Sequence, residues 1–176
     1  SFDVDVRILE GANPAGAEFA VTELNNGFRW DDGEVVIRAF AVDHAPIEPA
    51  FGYRIDFDGR SVALSGDTRY SEALAEAAAG VDLLIHEVSD ASEEFIRANP
   101  RFREVVMGHH TTAFEAGKIF TQVQPKLAVY AHMVIRDLSL EELVDKTRAT
   151  YQGPLVVGED LMVFDVADAV SVTIHR

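Results

Sequence analysis

The stretch VALSGDTRYSEAL, residues 62–74, predicts an apolar strand that ends at a carboxylate and is followed by a helix. Its first three residues suit a buried strand, and Gly66 interrupts this strand immediately before Asp67. A carboxylate at the tip of a buried strand is costly to desolvate unless a partner such as a metal ion compensates its charge. The simpler interpretation, which this stretch alone favours, is that Asp67 or Thr68 caps the helix.

Three further polar residues follow apolar strands in the same way. His44 comes after IRAFAVD, Glu87 after VDLLIH and His132 after KLAVYA. In a layered α/β fold the carboxyl ends of such strands gather at one edge of the sheet, where ligands bind. A single histidine beside a strand is more often structural than functional. Two histidines and two acids at four strand ends therefore predict a metal or catalytic site.

The composition limits what such a site can contain and bind. The 176 residues include no cysteine, so any metal must be held by histidine and carboxylate side chains. The formal net charge of −15 repels phosphate backbones, and nucleic acid is therefore not expected as a partner. No apolar run approaches the ~20 residues that a membrane helix needs. The lack of cysteine is compatible with a cytoplasmic location.

The hydrophobic pattern predicts one α/β domain, in which a mixed sheet carries helices on one face. Strands are expected over residues 4–10, 19–24 and 34–44, followed by a hairpin around the Asp58-Gly59 turn. From residue 71 onward, helices alternate with short apolar strands of the kind that is buried on both faces. The last part of the chain returns to strands and turns.

Two segments carry a resemblance to a known family. Residues 63–89 (ALSGDTRYSEALAEAAAGVDLLIHEVS) and 110–132 (HTTAFEAGKIFTQVQPKLAVYAH) resemble the second half of a metallo-β-lactamase-fold hydrolase. More narrowly, they resemble the branch that contains ribonuclease Z and its short phosphodiesterase and arylsulfatase-like relatives. The matching motifs SGDT, HE and HTT, with a histidine on either side, follow the order of the family. The resemblance implies an αββα sandwich of which residues 1–176, as a single domain, form mainly the second half.

The resemblance also assigns roles to individual residues. His44 would bind one metal ion, His132 a second ion, and Asp67 would bridge the two. Zinc is the expected metal, with two ions per intact site and with manganese or iron as alternatives. Glu87 would orient His110, which would donate a proton to the leaving oxygen. The alternative for His110 is a solvent-facing residue at a helix N-terminus.

Some features of that family are missing from the sequence. The branch carries an H-x-H-x-D-H motif upstream of the position of His44, and residues 1–43 contain no histidine. Asp67 and the two assigned histidines would give each ion only two protein ligands, so the chain alone is expected to be inactive. The absent N-terminal half would leave an apolar sheet face, which a homodimer or the missing half is expected to cover.

Three functions follow from these observations. The leading one is a two-zinc hydrolase that cleaves a small-molecule phosphodiester, sulfate ester or lactone-like ester. The alternative is a metal-free half-domain with a structural or interaction role, which would bind zinc poorly. The third is ribonuclease Z activity on transfer RNA. The transfer-RNA enzymes carry a long arm between the positions that match His44 and Asp67, where this chain has only a hairpin, and this argues against the third function.

Overall fold

A seven-stranded mixed sheet forms the centre of the structure, a computed structural model that describes residues 2–13 and 21–174. The strands lie side by side in chain order; β1 to β4 are antiparallel to one another, and β4 to β7 are parallel. Their bounds are β1 (Arg29–Asp31), β2 (Val35–Val42), β3 (Ala50–Phe57), β4 (Arg60–Leu64), β5 (Leu83–Ala91), β6 (Leu127–Arg136) and β7 (Leu155–Val157). With this arrangement β2, β4, β5 and β6 all point their carboxyl ends to the same edge.

The hairpin between β3 and β4 confirms the sequence prediction. Its two turn residues, Asp58 and Gly59, both have positive φ values, of 45° and 71°. Such a two-residue turn matches the right-handed twist of the flanking strands, and Asp-Gly is one of the sequences that adopt it readily. The turn fixes the register of β4, and β4 leads directly to Asp67.

Helices cover one face of the sheet, as the sequence predicts. The helix bounds are α1 (Phe2–Leu9), α2 (Glu72–Ala77), α3 (Glu93–Ala98), α4 (Pro100–Val105), α5 (Ala113–Val123) and α6 (Leu140–Arg148). Leu74 of α2, Phe120 of α5 and Leu143 of α6 are fully buried and belong to the main hydrophobic core. The side chain of Ser71 caps α2 by accepting the backbone N–H of Leu74, so Asp67 is not needed as a cap.

The opposite face of the sheet is covered in part by a hairpin of β8 (Met162–Val166) and β9 (Val170–Ile174). Its apolar side chains pack against a second core cluster built on Leu83, Leu127 and Val129. The hairpin therefore shields some of the apolar surface that the sequence predicts on this face. Within the described ranges, no helix combines the length and apolar character that crossing a membrane requires.

Strand β6 contains a bulge where it passes the middle of β5. Before the bulge, Ala128 and Tyr130 belong to the core beneath the helices; after it, Met133 and Ile135 do. The side chains that face the helices thus change from even to odd positions. The pairing of β5 with β6 shows the cause. From the pair His86–Tyr130 to the next pair, Val88–Met133, β5 advances by two residues and β6 by three, so β6 contains one extra residue. Within this bulge His132 adopts a left-handed conformation, with φ of 44°.

The N-terminal region differs from the prediction. Residues 4–10 were expected to form a strand, and the structure has helix α1 there. The apolar residues of this segment fit helical spacing as well as alternation, and a run this short does not distinguish the two. Ile8 and Leu9 are 42% and 87% exposed, so no tight packing against the sheet selects either state. Of the strand expected over 19–24, the structure describes 21–24, which have no regular secondary structure.

Candidate metal centre

The side chains assigned from the sequence converge at one edge of the sheet. Asp67 follows β4, and its Oδ2 lies 4.0 Å from Nε2 of His44 and 3.4 Å from Nε2 of His132. The ring of His110, which precedes α5, has its centroid 5.1 Å from that of His44 and 5.8 Å from that of His132. Three imidazoles and a carboxylate therefore surround one small volume, as the rule on strand ends predicts.

The donor atoms of this group fit a divalent metal ion. One ligand atom from each of Asp67, His110 and His132 lies within 4.8 Å of the other two. Imidazole nitrogen and carboxylate oxygen suit zinc, and they also suit manganese and iron. This geometric group contains His110, whereas the ligand set predicted from the sequence contains His44 in its place and assigns His110 to proton transfer.

His44 is anchored by its second ring nitrogen. Its Nδ1 lies 2.8 Å from the carbonyl oxygen of His109, and the residue is only 8% exposed. A carbonyl oxygen can only accept a hydrogen bond, so Nδ1 carries a proton and Nε2 is the ring nitrogen that faces Asp67. Metal-binding histidines are commonly held in this way, by a carbonyl or carboxylate on the nitrogen that faces away from the metal.

Glu87 and His110 form the pair that the sequence predicts. Oε2 of Glu87 lies 3.0 Å from Nδ1 of His110, and Oε1 accepts the backbone N–H of Thr111 at 2.7 Å. Burial raises the pKa of Glu87 to about 8, although hydrogen bonds from Thr111 and Thr68 act in the opposite direction. Burial also lowers the pKa of His110. Both shifts have the same cause, because burial disfavours an isolated charge on either partner.

Asp67 and His132 are the exposed members of the group. Their side chains are 41% and 55% exposed, and neither forms a hydrogen bond to a third residue in the described part of the chain. Gly66 makes the approach of Asp67 possible, because its φ is +61° and a Cβ there would clash with the carbonyl oxygen of Phe51. The acid at the strand tip thus faces the histidines, which agrees with charge compensation by a cation.

Two residues that sequence reasoning missed connect the loops of the site. The guanidinium of Arg69 donates to the carbonyl oxygens of Ala45, at 3.0 Å, and of Gly108. His109 places its Nδ1 2.6 Å from the same oxygen of Ala45. The only sequence signals were an arginine two residues after the strand-end acid and a histidine pair before HTT, and neither specifies a partner.

A cleft of about 680 Å³ opens beside His110. Its walls include the basic side chains of Arg69, Arg103 and Lys146 as well as the aromatic ring of Phe114. The carboxylates of Asp43, Asp90, Glu93 and Glu115 also line it. The cleft therefore offers room for part of a substrate next to the imidazole, with groups of both charges.

Comparison with known proteins identifies the family. Residues 5–133 match the Beta-lactamase superfamily domain. Ribonuclease Z of Mycobacterium marinum is 32% identical over 165 residues, which cover 90% of this chain and 58% of that protein. Ribonuclease Z of Mycobacterium tuberculosis strain H37Rv is 32% identical over 163 residues, which cover 90% of this chain and 59% of that protein. The chain thus spans about three fifths of the length of these curated relatives.

Solved structures support the same fold. The metallo-beta-lactamase fold protein YhfI from Bacillus subtilis superposes with a TM-score of 0.61 at 16% identity, covering 77% of this chain and 50% of that one. The short form of human tRNase Z superposes with a TM-score of 0.53 at 21% identity, covering 78% of this chain and 46% of that one. At these identities the structures establish the fold alone.

The exclusion of nucleic acid as a partner is wrong, because relatives at 32% identity are named ribonuclease Z. The hairpin in place of a long arm does not separate this chain from them. An alignment of 165 residues that includes 90% of this chain leaves room for only a few inserted residues in the relative. The net charge of −15 is a property of the whole surface and does not describe the field at one edge of the sheet.

The family match covers most of the chain, and the sheet, the covering helices and the cluster at the strand ends all agree with it. The chain belongs to the beta-lactamase superfamily and has the metallo-β-lactamase fold.

Proposed function

We propose that the protein is a metal-dependent phosphodiesterase that cleaves RNA, in the manner of a ribonuclease Z acting on the 3′ end of precursor transfer RNA. The observation that carries the proposal is the Glu87–His110 pair beside the cluster of Asp67 and His132, with 3.0 Å between carboxylate and imidazole. The substrate class is supported by the ribonuclease Z relatives. A small phosphodiester is the alternative that the assay below distinguishes.

The ligands assigned to the metal are His44, Asp67 and His132. A bound divalent cation, with zinc the first candidate, supplies Lewis-acid chemistry and activates water at such a site. If two ions are held, Asp67 would serve both, and the support for this is that its Oδ2 lies within 4.0 Å of Nε2 of both histidines. Zinc as the ion and a cytoplasmic location are further parts of the proposal.

Proton transfer is the role of the buried pair. The carboxylate of Glu87 fixes Nδ1 of His110 and leaves Nε2 free to face the substrate. Water loses a proton to solvent and adds to phosphorus as hydroxide, the bond to the leaving oxygen breaks, and that oxygen takes a proton from Nε2 of His110, which regains one from solvent. Burial lowers the pKa of His110, which makes its protonated form a stronger acid. Glu87 holds the ring in place during this transfer.

The test is an activity assay with two substrates on the longest natural form of the protein that contains these residues, with this chain alone beside it. A precursor transfer RNA with a 3′ trailer and bis(p-nitrophenyl) phosphate are each incubated with zinc, with manganese and with a chelator. We expect metal-dependent removal of the trailer by the longer form. The chain alone should be far slower, because Asp67 and the assigned histidines give each of two ions only two ligands.

Two outcomes would change the proposal. Metal-dependent cleavage of the small diester, with the precursor left intact, would replace RNA by a small-molecule substrate. The absence of hydrolysis with either metal, together with no detectable zinc binding, would support a metal-free half-domain instead. The variant Arg60→Ala serves as a control, because Arg60 lies at the far end of β4 and pairs with Asp168.

A further inference from the structure

Three loops that carry the site meet at the guanidinium of Arg69. One loop follows β2, one follows β4 and contains Arg69 itself, and one precedes α5. The side chain donates to the carbonyl oxygens of Ala45, at 3.0 Å, and Gly108, and it lies 3.4 Å from Oδ2 of Asp43. Its backbone N–H also donates to the carbonyl oxygen of Asp43, at 2.8 Å. One residue therefore connects the chain on both sides of the cluster.

The carbonyls that Arg69 binds belong to neighbours of the functional histidines. Ala45 follows His44 directly, and Gly108 lies two residues before His110. Between the same loops His44 donates to the carbonyl oxygen of His109 at 2.8 Å, and His109 donates to that of Ala45 at 2.6 Å. Thr68 adds uncharged links from the loop of the strand-end acid, because its hydroxyl donates to the carbonyl oxygen of Asp43 at 3.3 Å and its own carbonyl accepts from the hydroxyl of Thr111 at 2.7 Å. Arg69 is the charged side chain that joins all three loops.

The chemistry of arginine explains why this position requires it. A planar guanidinium presents five N–H donors in a fixed fork, so it can satisfy two carbonyls and a carboxylate at once, whereas a lysine ammonium concentrates its charge at one point. The side chain of Arg69 is 41% exposed, so its ion pair with Asp43 contributes little to global stability. Its effect falls instead on the separation of the loops that it joins.

We propose that Arg69 is a positioning residue, which sets the separation between His44 and His110 by holding their loops to the segment that carries Asp67. Arg69 acts through the backbone of these loops and not through contact with substrate. The consequence for catalysis rests on the proposed function. The expected change in the hydrogen bonds of the metal-free imidazoles does not depend on the proposed function.

The experiment compares Arg69→Ala with Arg60→Ala. Arg60 is a matched control, because its side chain is 38% exposed and also forms one ion pair with an aspartate. The first measurement is nitrogen-15 NMR of the histidine rings in the metal-free protein. We expect the hydrogen-bonded Nδ1 signals of His44 and His109 to shift or broaden in Arg69→Ala and to stay unchanged in Arg60→Ala.

The second measurement is zinc affinity by chelator competition. Loss of a partner that orients metal ligands commonly lowers affinity about 10–100-fold, and we expect a decrease of that size in Arg69→Ala only. Free guanidinium ions at millimolar concentration should restore part of the affinity in that variant. Where activity is measurable, kcat should fall more than KM rises, because ground-state contacts to substrate are not removed.

A folded Arg69→Ala protein with wild-type histidine spectra and wild-type zinc affinity would overturn the proposal. If this variant fails to fold, Arg69→Lys decides by the same measurements. Lysine retains the charge but lacks the fork of N–H donors. A zinc affinity that is lower than that of the wild-type protein by up to about tenfold therefore supports the role of Arg69. Wild-type zinc affinity and wild-type histidine spectra would refute it. If the protein hydrolyses no ester, the histidine spectra of the metal-free protein still test the role of Arg69. Failure of the proposed function and failure of the proposed role of Arg69 can therefore be distinguished.

Discussion

The two halves of the candidate metal centre differ in how firmly the protein holds them. The side chains of His44 and His110 are 10% and 12% exposed, and each has its Nδ1 fixed by a carbonyl or carboxylate. The side chains of Asp67 and His132 are 41% and 55% exposed, and within the described structure their ion pairs are formed inside the cluster. The fold therefore orients one half through hydrogen bonds, and it leaves the other half more open to solvent.

This difference has a thermodynamic consequence. An anchored imidazole has already lost its rotamer freedom during folding, so little further entropy is lost when a metal binds. An exposed carboxylate and an exposed imidazole lose theirs on binding, and the gain in electrostatic energy must exceed that cost. Substitutions in the two halves should therefore have different effects on metal binding and turnover.

Replacing Asp67 by Ala should have the largest effect. Among the described residues, Asp67 is the carboxylate that lies within 4.0 Å of both assigned histidine ligands, so its loss would remove the negative charge that offsets bound cations. In the longest natural form of the protein, turnover of bis(p-nitrophenyl) phosphate should fall below detection, and the metal content after dialysis should decrease. Asp67→Asn, which keeps the shape, should lose nearly as much. Unchanged metal content in Asp67→Ala would mean that the ligands lie elsewhere.

Replacing His110 by Ala should lower turnover by roughly 10²–10⁴, the usual contribution of a positioned general acid. Metal content should persist, because His110 is assigned to proton transfer. The loss should shrink for esters with a good leaving group, since these need no proton. The geometry makes this comparison decisive, because His110 also lies within the group of possible ligands. A parallel loss of metal in His110→Ala would reassign His110 as a ligand.

A smaller effect should appear in the exchange of imidazole protons. In the metal-free protein the Nδ1–H of His44, bonded to a carbonyl, should exchange with solvent at least about tenfold more slowly than the ring N–H of exposed His132. Added zinc should slow exchange at His132 and change His44 little. Equal exchange at the two rings before metal is added would contradict the difference between the two halves.

The smallest effect on the site should come from His86, which lies on the core side of Glu87. Its ring is fully buried against Phe120, Nε2 has no hydrogen-bond partner among the described residues, and burial lowers its pKa to about 4. Between pH 6.5 and about 4 the unfolded chain binds a proton that the folded protein does not, so stability decreases as the pH falls through this range.

Urea unfolding of the metal-free protein at several pH values measures this dependence. In His86→Leu the decrease should be smaller by about 2–3 kcal/mol, because the substituted side chain does not titrate. His109→Leu is a suitable control, since that ring lies in the loop network outside the core. An identical pH dependence in the wild-type protein and His86→Leu would show that the buried ring is not responsible.

The sequence predicted the parts of the fold that depend on burial. The strands before His44, Asp67 and His132 are apolar and end at polar residues, and the rule on strand ends placed these side chains together. Helix α1 was missed because its exposed apolar residues fit two periodicities. The contacts of Arg69 could not be predicted, since they join a side chain to carbonyls on loops whose positions depend on the whole sheet. The net charge led to the wrong exclusion of nucleic acid, because it sums the charges of the whole surface and does not describe the field at the site.

The bulge in β6 has a consequence for how the protein tolerates changes in length. Deleting Ala131 would restore one uniform alternation along the strand and keep Met133 and Ile135 beneath the helices. It would also remove the left-handed turn at His132 that brings the ring within 3.4 Å of Asp67. Deletion of this one residue would thus preserve the packing of the core and disrupt the geometry of the candidate metal centre. Along this strand the site is encoded in the number of residues as much as in their identity.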